Sequence, residues 1–169
     1  MLKKLLIIIL LILPAFSFRA QDIALVTIPG EPETLSTGID RTDLLDYARQ
    51  FLGTPYRRGG SDPKKGFDCS GFVNYVFEHF EVDLPRSSRE FKSLGTTLKP
   101  DEFKVGDILV FYGFRDRGHI GHVGIICEAN GMKSKFIHSS SGKAHRVTIS
   151  DLASDGYKKR FYTCINVIK

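Results

Sequence analysis

"GFDCSGFVNYVF", residues 66–77, has a cysteine at the point where a helical pattern begins. Apolar residues recur three, four, seven, eight and eleven positions after Cys69, which is the spacing of one buried helix face. They are Phe72, Val73, Val76, Phe77 and Phe80. Asp68, directly before the cysteine, is of a residue type that caps helix N-termini. The pattern therefore predicts a helix whose first turn carries Cys69 on its buried side.

Cys69 could be a core thiol, half of a disulfide, a metal ligand or a nucleophile. A core thiol is the usual role of a helix cysteine. A helix N-terminus nevertheless favours the thiolate, and a neighbouring imidazole would lower the thiol pKa further. The chain has three cysteines and no C-x-x-C, so neither a structural zinc site nor a redox dithiol is indicated. We expect Cys127 and Cys164 to be core thiols, with a mutual disulfide as the alternative.

The chain around this segment predicts helices first and strands afterwards. A helical pattern over 42–52 has Thr42 as its N-cap and Gly53 as its stop. "SSRE" at 87–90 has the form of a capping box that opens a short helix, and Asn130-Gly131 is a turn signal between strands. Predicted strands cover 106–113, 122–127, 135–140, 145–150 and 159–168. We expect an α+β fold, with the N-terminal helices packed on a mainly antiparallel sheet of five to six strands.

Two of the five histidines are placed where they could activate Cys69. His122 and His138 lie on successive predicted strands, and one hairpin register puts their imidazoles side by side. Gly121 and Gly124 are small enough to leave room for a helix terminus. A thiolate, a base and an orienting group in this arrangement form a generalised catalytic triad.

The other three histidines, His79, His119 and His145, are expected at the surface. A zinc site made by Cys69, His119 and His122 is the metal alternative. It is disfavoured because H-x-x-H at a loop-to-strand junction does not place both rings on one face.

Residues 1–20 have the order of a secretory signal peptide. Lys3 and Lys4 precede an unbroken Leu/Ile run at 5–13, which is too short for a stable membrane anchor, although an uncleaved anchor is the alternative. Residues 21–40 are predicted as a lead-in linker. Without 1–20 the chain keeps 21 basic and 19 acidic residues, so its charge does not indicate a nucleic-acid partner. We expect export to the periplasm or the cell exterior.

Six motifs, in this order, strongly resemble those of the NlpC/P60 family of bacterial cell-wall cysteine peptidases. They are "FLGTPYRRGG", "GFDCSGFVNYVF", "LPRSS", "KVGDILVFYG", "HIGHVGII" and "KFIHSSSG". The resemblance implies a papain-like catalytic domain over residues 41–169 that needs no cofactor or metal. It implies hydrolysis of peptidoglycan stem peptides or released muropeptide fragments. The usual target is the bond between γ-D-glutamate and a diamino acid, often meso-diaminopimelate. We expect a monomer.

By the same resemblance, Cys69 is the nucleophile, His122 the general base and His138 the residue that orients the base. Tyr56 matches a tyrosine near the nucleophile, with a packing aromatic as the alternative. Asp68 and Ser70 match residues that help hold the free amine end of the substrate. The alternatives are that Asp68 is only a helix cap and that Ser70 is only a first-turn residue.

Arg58 departs from the family pattern, which usually has an aromatic before Gly-Gly. This departure bears on subsite preference and not on the chemistry. Two other functions stay open at this point. One is a papain-like amidase or acyltransferase with another amide or ester substrate, and the other is a binding module without catalysis.

Overall fold

The computed structural model describes residues 38–169, so the predicted signal peptide and most of the predicted linker lie outside the described residues. The described helices are α1 (Arg41–Arg49), α2 (Cys69–Glu78) and α3 (Asp155–Lys158), with 3₁₀ helices at Ser88–Ser93 and Pro100–Glu102. The described strands are β1 (Ser61–Asp62), β2 (Gly66–Phe67), β3 (Thr96–Leu98), β4 (Ile108–Tyr112), β5 (Ile120–Glu128), β6 (Lys135–Ser139), β7 (Val147–Asp151) and β8 (Phe161–Asn166).

The main sheet has six strands in the order β3-β8-β4-β5-β6-β7, and every neighbouring pair is antiparallel. Strands β4 to β7 form an antiparallel meander. β8 then returns to the free side of β4, and the short β3 pairs with β8. The expected α+β fold is confirmed, and β3 supplies the sixth strand, which the sequence patterns did not indicate. β1 and β2 form a separate two-stranded ladder before α2.

Apolar side chains are buried on both faces of the sheet. On β4, Ile108 and Val110 belong to the core shared with α1 and α2, whereas Leu109 and Phe111 belong to a smaller core on the opposite face. This explains why the β4 sequence is apolar throughout and does not alternate with polar residues. Tyr157 of α3 packs against the smaller core.

The two long helices begin at capping aspartates. The α1 cap is Asp40 and not Thr42 as predicted, because Asp40 Oδ1 accepts hydrogen bonds from the Thr42 N–H at 2.6 Å and the Asp43 N–H at 3.4 Å. The start of α2 at Cys69, with Asp68 as its cap, is confirmed. The capping box at 87–90 is also confirmed, and it opens a 3₁₀ helix.

Cys127 and Cys164 are free and buried, and they lie in the cores on opposite faces of the sheet. The prediction of two core thiols is confirmed, and the alternative of a mutual disulfide is wrong. Among residues 38–169, none of the helices has the length and apolar character needed to cross a membrane.

Candidate active site

Cys69 occupies the first position of α2, held there by tight packing of the first turn. The Gly71 N–H donates to Asp68 Oδ1 at 2.7 Å, and the Asp68 N–H donates to the Gly60 carbonyl at 2.9 Å. A Cβ atom on Gly71 would overlap that carbonyl oxygen, so the loop that ends at Gly60 can lie against α2 only because residue 71 is glycine. The loop carries Tyr56, whose pKa is raised by burial and by the charges of Cys69 and Asp68. Tyr56 therefore lies close to Cys69.

The Cys69 thiol is in an environment that favours its neutral form. Burial and the Asp68 carboxylate raise its pKa to about 11, while the backbone N–H groups of Val123, Ser70 and Cys69 itself act in the opposite direction. The expected lowering by the helix terminus is thus outweighed by burial. A thiolate at this position needs a charged partner that forms together with it.

His122 lies on β5 directly before Val123, next to a β-bulge. Phe111 of β4 pairs with His122, and Tyr112 pairs with Ile120, so Gly121 is an extra residue on the β5 side. A Cβ atom on Gly121 would lie 2.7 Å from Gly113 Cα, which explains the need for glycine here. Bulges of this kind change the direction of a neighbouring side chain.

The structure brings the two predicted histidines into direct contact. His122 Nε2 and His138 Nδ1 are 2.9 Å apart in a buried hydrogen bond. The β5–β6 register pairs Ile125 with Ile137, and its continuation places His138 opposite Gly124 and diagonal to His122. A Cβ atom on Gly124 would lie 2.9 Å from His138 Cβ. Gly124 therefore makes room for His138 and not, as expected from the sequence, for the helix, whereas Gly121 lines the space at Cys69.

His138 is itself held on its far side. Its Nε2 lies 3.0 Å from Ser150 Oγ and 3.3 Å from the Tyr157 hydroxyl. Burial and the positive charge of Arg160 lower the His138 pKa to about 3, and burial, His138 and Arg160 place the His122 pKa well below its ordinary value. Both imidazoles are therefore neutral near neutral pH.

Neutral rings define a chain of hydrogen bonds with one consistent direction. If His122 Nδ1 is to receive a proton, its Nε2 must carry the hydrogen and donate to His138 Nδ1. His138 Nε2 then carries a hydrogen and donates to Ser150 or Tyr157. The arrangement can hold His122 in the tautomer required of a general base.

A cavity of about 640 Å³ opens at Cys69 and is also lined by Tyr56, Asp68 and Ser70. All three predicted substrate-binding residues therefore border one space. Asp68, however, is already engaged: Arg86 Nη1 and Nη2 donate to its two oxygens at 3.0 and 2.9 Å, and the Gly59 N–H donates to Oδ2 at 2.9 Å. With its cap bond to Gly71, the carboxylate is saturated with donors.

Arg86 was not among the predicted site residues. It lies in "LPRSS", a motif noted only for its resemblance, and it also donates to Ser70 Oγ at 3.1 Å. Its partner Asp68 is 18 residues earlier, so no local pattern links the two. Ser150 and Tyr157 were also missed, because a serine late in a strand and a tyrosine in a four-residue helix carry no signal of contact with a histidine.

The remaining histidines lie away from the His122–His138 pair, as expected. His79 is exposed and stacks on Tyr47, with ring centroids 3.8 Å apart. His119 lies on an exposed loop, where its Nδ1 pairs with Asp116 Oδ2 at 2.7 Å. Within residues 38–169, no three His, Cys, Asp or Glu side chains are grouped as metal ligands would be.

Comparison with known proteins identifies the family of this chain. Residues 53–166 match the sequence model of the NlpC/P60 family. The chain is 39% identical over 118 residues to the γ-DL-glutamyl hydrolase of Bacillus subtilis (strain 168), covering 69% of this chain and 27% of that protein. It is 36% identical over 134 residues to the murein DD-endopeptidase/LD-carboxypeptidase MepS of Escherichia coli (strain K12), covering 78% of this chain and 65% of that protein.

Among solved structures, the NlpC/P60 domain of the peptidoglycan hydrolase SagA superposes with a TM-score of 0.61 at 28% identity. The superposition covers 76% of this chain and 100% of that domain. The match of family model, sequence and fold shows that this chain belongs to the NlpC/P60 family, whose relatives here are named as peptidoglycan hydrolases and endopeptidases.

Proposed function

We propose that this chain is an exported cysteine peptidase that hydrolyses peptidoglycan stem peptides at the bond between γ-D-glutamate and the diamino acid. The observation that carries the proposal is the buried 2.9 Å hydrogen bond between His122 and His138. The next residue after His122 is Val123, whose backbone N–H faces the Cys69 thiol. Burial of two imidazoles is costly unless their ring nitrogens are hydrogen-bonded, and buried pairs of titratable groups with shifted pKa values are concentrated at functional sites.

The first half of the reaction forms a thioester. His122 Nδ1 takes the proton from Cys69 Sγ, and the sulfur attacks the carbonyl carbon of the scissile amide. The thiol and the imidazole are each neutral at rest, so thiolate and imidazolium form together and stabilise each other by their opposite charges. The Cys69 backbone N–H, at the start of α2, can hold the oxyanion. When the C–N bond breaks, His122 returns its proton to the leaving amine.

The second half of the reaction restores the enzyme. A water molecule gives a proton to His122 and attacks the thioester carbon. The C–S bond breaks, the acid product leaves, and Cys69 recovers its proton from His122. His138 keeps its hydrogen bond to His122 throughout, so its role is to fix the ring and support the imidazolium.

Tyr56, Asp68 and Ser70 border the cavity at Cys69, and we assign that cavity to the acyl part of the substrate, L-Ala-γ-D-Glu. A free L-Ala ammonium could reach Asp68 only by replacing Arg86, which now donates two hydrogen bonds to the carboxylate. Comparison of peptides with free and blocked amines therefore tests Asp68 and Ser70 separately from the peptidase reaction itself.

The test uses the chain without residues 1–20 and a set of defined peptides. L-Ala-γ-D-Glu-meso-diaminopimelate, its lysine analogue and amine-blocked forms of both are incubated with wild type and with Cys69→Ala, and products are identified by mass spectrometry. We expect L-Ala-D-Glu from the free peptides with wild type only. Release of the same product by Cys69→Ala would overturn the assignment of the nucleophile.

A second candidate bond comes from the relatives, whose names give both a γ-DL-glutamyl hydrolase and a DD-endopeptidase. A cross-linked muropeptide dimer, added to the same assay, distinguishes the two. Conversion of the dimer to monomers in which the L-Ala-γ-D-Glu-diaminopimelate segment stays uncut would favour the DD bond over the γ-D-glutamyl bond.

Alkylation of Cys69 separates the peptidase from a binding module. Iodoacetamide should label Cys69 in the native protein faster than the buried Cys127 and Cys164. The rate should fall at least about tenfold in His122→Gln, because the thiolate then lacks its paired imidazolium. Equal rates in the two proteins, together with no cleavage of any peptide, would favour the binding module.

A further inference from the structure

A second cavity, of about 610 Å³, lies on the His122 side of the site. Gly121 lines both this cavity and the one at Cys69, so the two spaces meet at the β5 bulge. The far wall of the second cavity is formed by Tyr157 and Arg160, and Phe114 and Arg115 lie at its border. We refer to it as the His122 cavity.

The charge of the His122 cavity is one-sided. Its lining contains two arginines, several serines and no aspartate or glutamate. Asp116, in the same loop as Arg115, is paired with His119 and does not line the cavity. A space with two guanidinium groups and no carboxylate of its own favours an anionic ligand.

Arg160 is fixed in place without a counter-charge. Its Nε donates to the Gly156 carbonyl at 2.8 Å and its Nη1 to the Tyr112 carbonyl at 3.1 Å. The guanidinium lies over the Tyr157 ring, 5.1 Å from the centroid. It is half-buried, and it forms no ion pair with any acid in the described part of the chain. A held, partly desolvated arginine with a free Nη2 is suited to bind a carboxylate.

Phe114 is the second unusual feature of this region. Its side chain is 79% exposed, and Arg160 lies 5.8 Å from its ring centroid. An aromatic ring at the border of a cationic cavity offers an apolar surface to the hydrocarbon part of a ligand. The ligand that fits is one with an aliphatic chain and a carboxylate.

We propose that the His122 cavity binds the leaving part of the substrate and that Arg160, assisted by Arg115, recognises a carboxylate on the residue whose amine is released. This inference rests on the proposed function, because the general acid must reach the leaving nitrogen and the leaving residue therefore lies on the side of His122. A diamino acid at the end of a stem tripeptide carries both an aliphatic chain and such a carboxylate.

Binding to the Cys69→Ala protein tests the inference without requiring turnover. The probes are L-Ala-γ-D-Glu-meso-diaminopimelate and the same peptide with its diaminopimelate carboxylates converted to carboxamides, measured by calorimetry. We expect the free carboxylates to bind at least about tenfold more tightly, as is typical of a charge-assisted pair. In Arg160→Gln and in Arg115→Ala, made in the same background, the difference should shrink, most strongly in Arg160→Gln.

Arg49→Ala is the matched control, because Arg49 is an exposed arginine of α1 that does not line the cavity. Arg115 and Arg49 are both exposed, so neither variant should disturb folding, and circular dichroism checks Arg160→Gln. An unchanged preference in Arg160→Gln and Arg115→Ala, or no preference in the parent protein, would overturn the inference. Carboxylate-dependent binding with no cleavage by wild type would instead contradict the proposed function and leave this subsite in place.

Discussion

At the residue scale, Gly124 decides whether two histidines can meet. The residue opposite His138 has to lack a side chain, since a Cβ atom at position 124 would lie 2.6 Å from Phe136 Cδ2 and 2.9 Å from His138 Cβ. Contacts this short force a shift of the β6 side chains. The glycine is therefore part of the support for the His122–His138 hydrogen bond, although it touches no substrate.

Gly124→Ala should displace His138 and weaken its bond to His122. We expect kcat to fall about 10- to 100-fold with a small change in KM, and the free energy of unfolding to fall by about 1–3 kcal/mol, as for other overpacked sites. The comparison is Gly118→Ala, where the new Cβ would meet only the Asp116 side chain, at 3.2 Å on an exposed loop. Equal loss of kcat in both variants would contradict the assigned role of Gly124.

The lowered His138 pKa predicts that the protein loses stability in mild acid. In the folded state the pKa is about 3, whereas the ordinary value is 6.5. Between these values the unfolded chain binds a proton that the folded chain does not, so stability decreases as the pH falls below 6.5. For one such group the slope approaches about 1.4 kcal/mol per pH unit.

Thermal unfolding measured from pH 7.5 to 5 checks this expectation. In His138→Asn the slope should be smaller than in wild type, while His122 still contributes in the same direction. A steeper or unchanged slope in His138→Asn would show that other groups cause the acid sensitivity.

At the element scale, the first turn of α2 combines a structural cap with control of the thiol. The Asp68 carboxylate caps the helix, pairs with Arg86 and raises the pKa of Cys69. These effects are separable, because asparagine can cap a helix but carries no charge.

Asp68→Asn should keep the cap and lower the Cys69 pKa, so that the pH profile of iodoacetamide labelling moves to lower pH. Asp68→Ala should shift the profile in the same direction and also lose about 1 kcal/mol of the free energy of unfolding relative to Asp68→Asn. Labelling profiles and urea unfolding of both variants measure the two effects. A profile that moves to higher pH would contradict the electrostatic role of Asp68.

Elements with a strong local signal could be predicted from the sequence. The helix at Cys69 has both a capping aspartate and a continuous apolar face, and the β4 to β7 meander has long apolar segments and a turn signal. β3 has neither, since its three residues are largely exposed and its stability comes from pairing with β8. Arg86 and Arg160 could not be assigned, because their roles depend on partners brought close only by the tertiary fold.

At the scale of the whole molecule, one buried ion pair connects the start of α1 to the sheet. Arg41 Nη1 donates to Asp107 Oδ1 at 2.8 Å, and Nη2 donates to Asn166 Oδ1 at 2.9 Å. The Asp107 side chain is fully buried and also accepts from the Lys104 N–H at 2.7 Å. Arg41 thus joins the first helix to the ends of β4 and β8.

Asp107→Ala should lower the free energy of unfolding by about 3 kcal/mol, because it leaves Arg41 and the Lys104 N–H without their buried partner. Asp46→Ala is the control, since its pair with Arg49 is exposed and 3.5 Å long, and we expect a loss below about 0.5 kcal/mol. Urea unfolding of the two variants measures both. Equal losses of unfolding free energy in the two variants would show that the Arg41–Asp107 pair does not hold α1 to the sheet.

The position of β8 has a consequence for the order in which the chain can fold. β8 is the last of the described strands, yet it lies inside the sheet between β3 and β4. During synthesis the four strands of the meander can pair as they emerge, but β3, whose sheet partner in the described part of the chain is β8, has to wait until residues 161–166 arrive. Assembly of the described sheet is therefore completed by β8, and a chain that is stopped before residue 161 lacks the strand that links β3 to the meander.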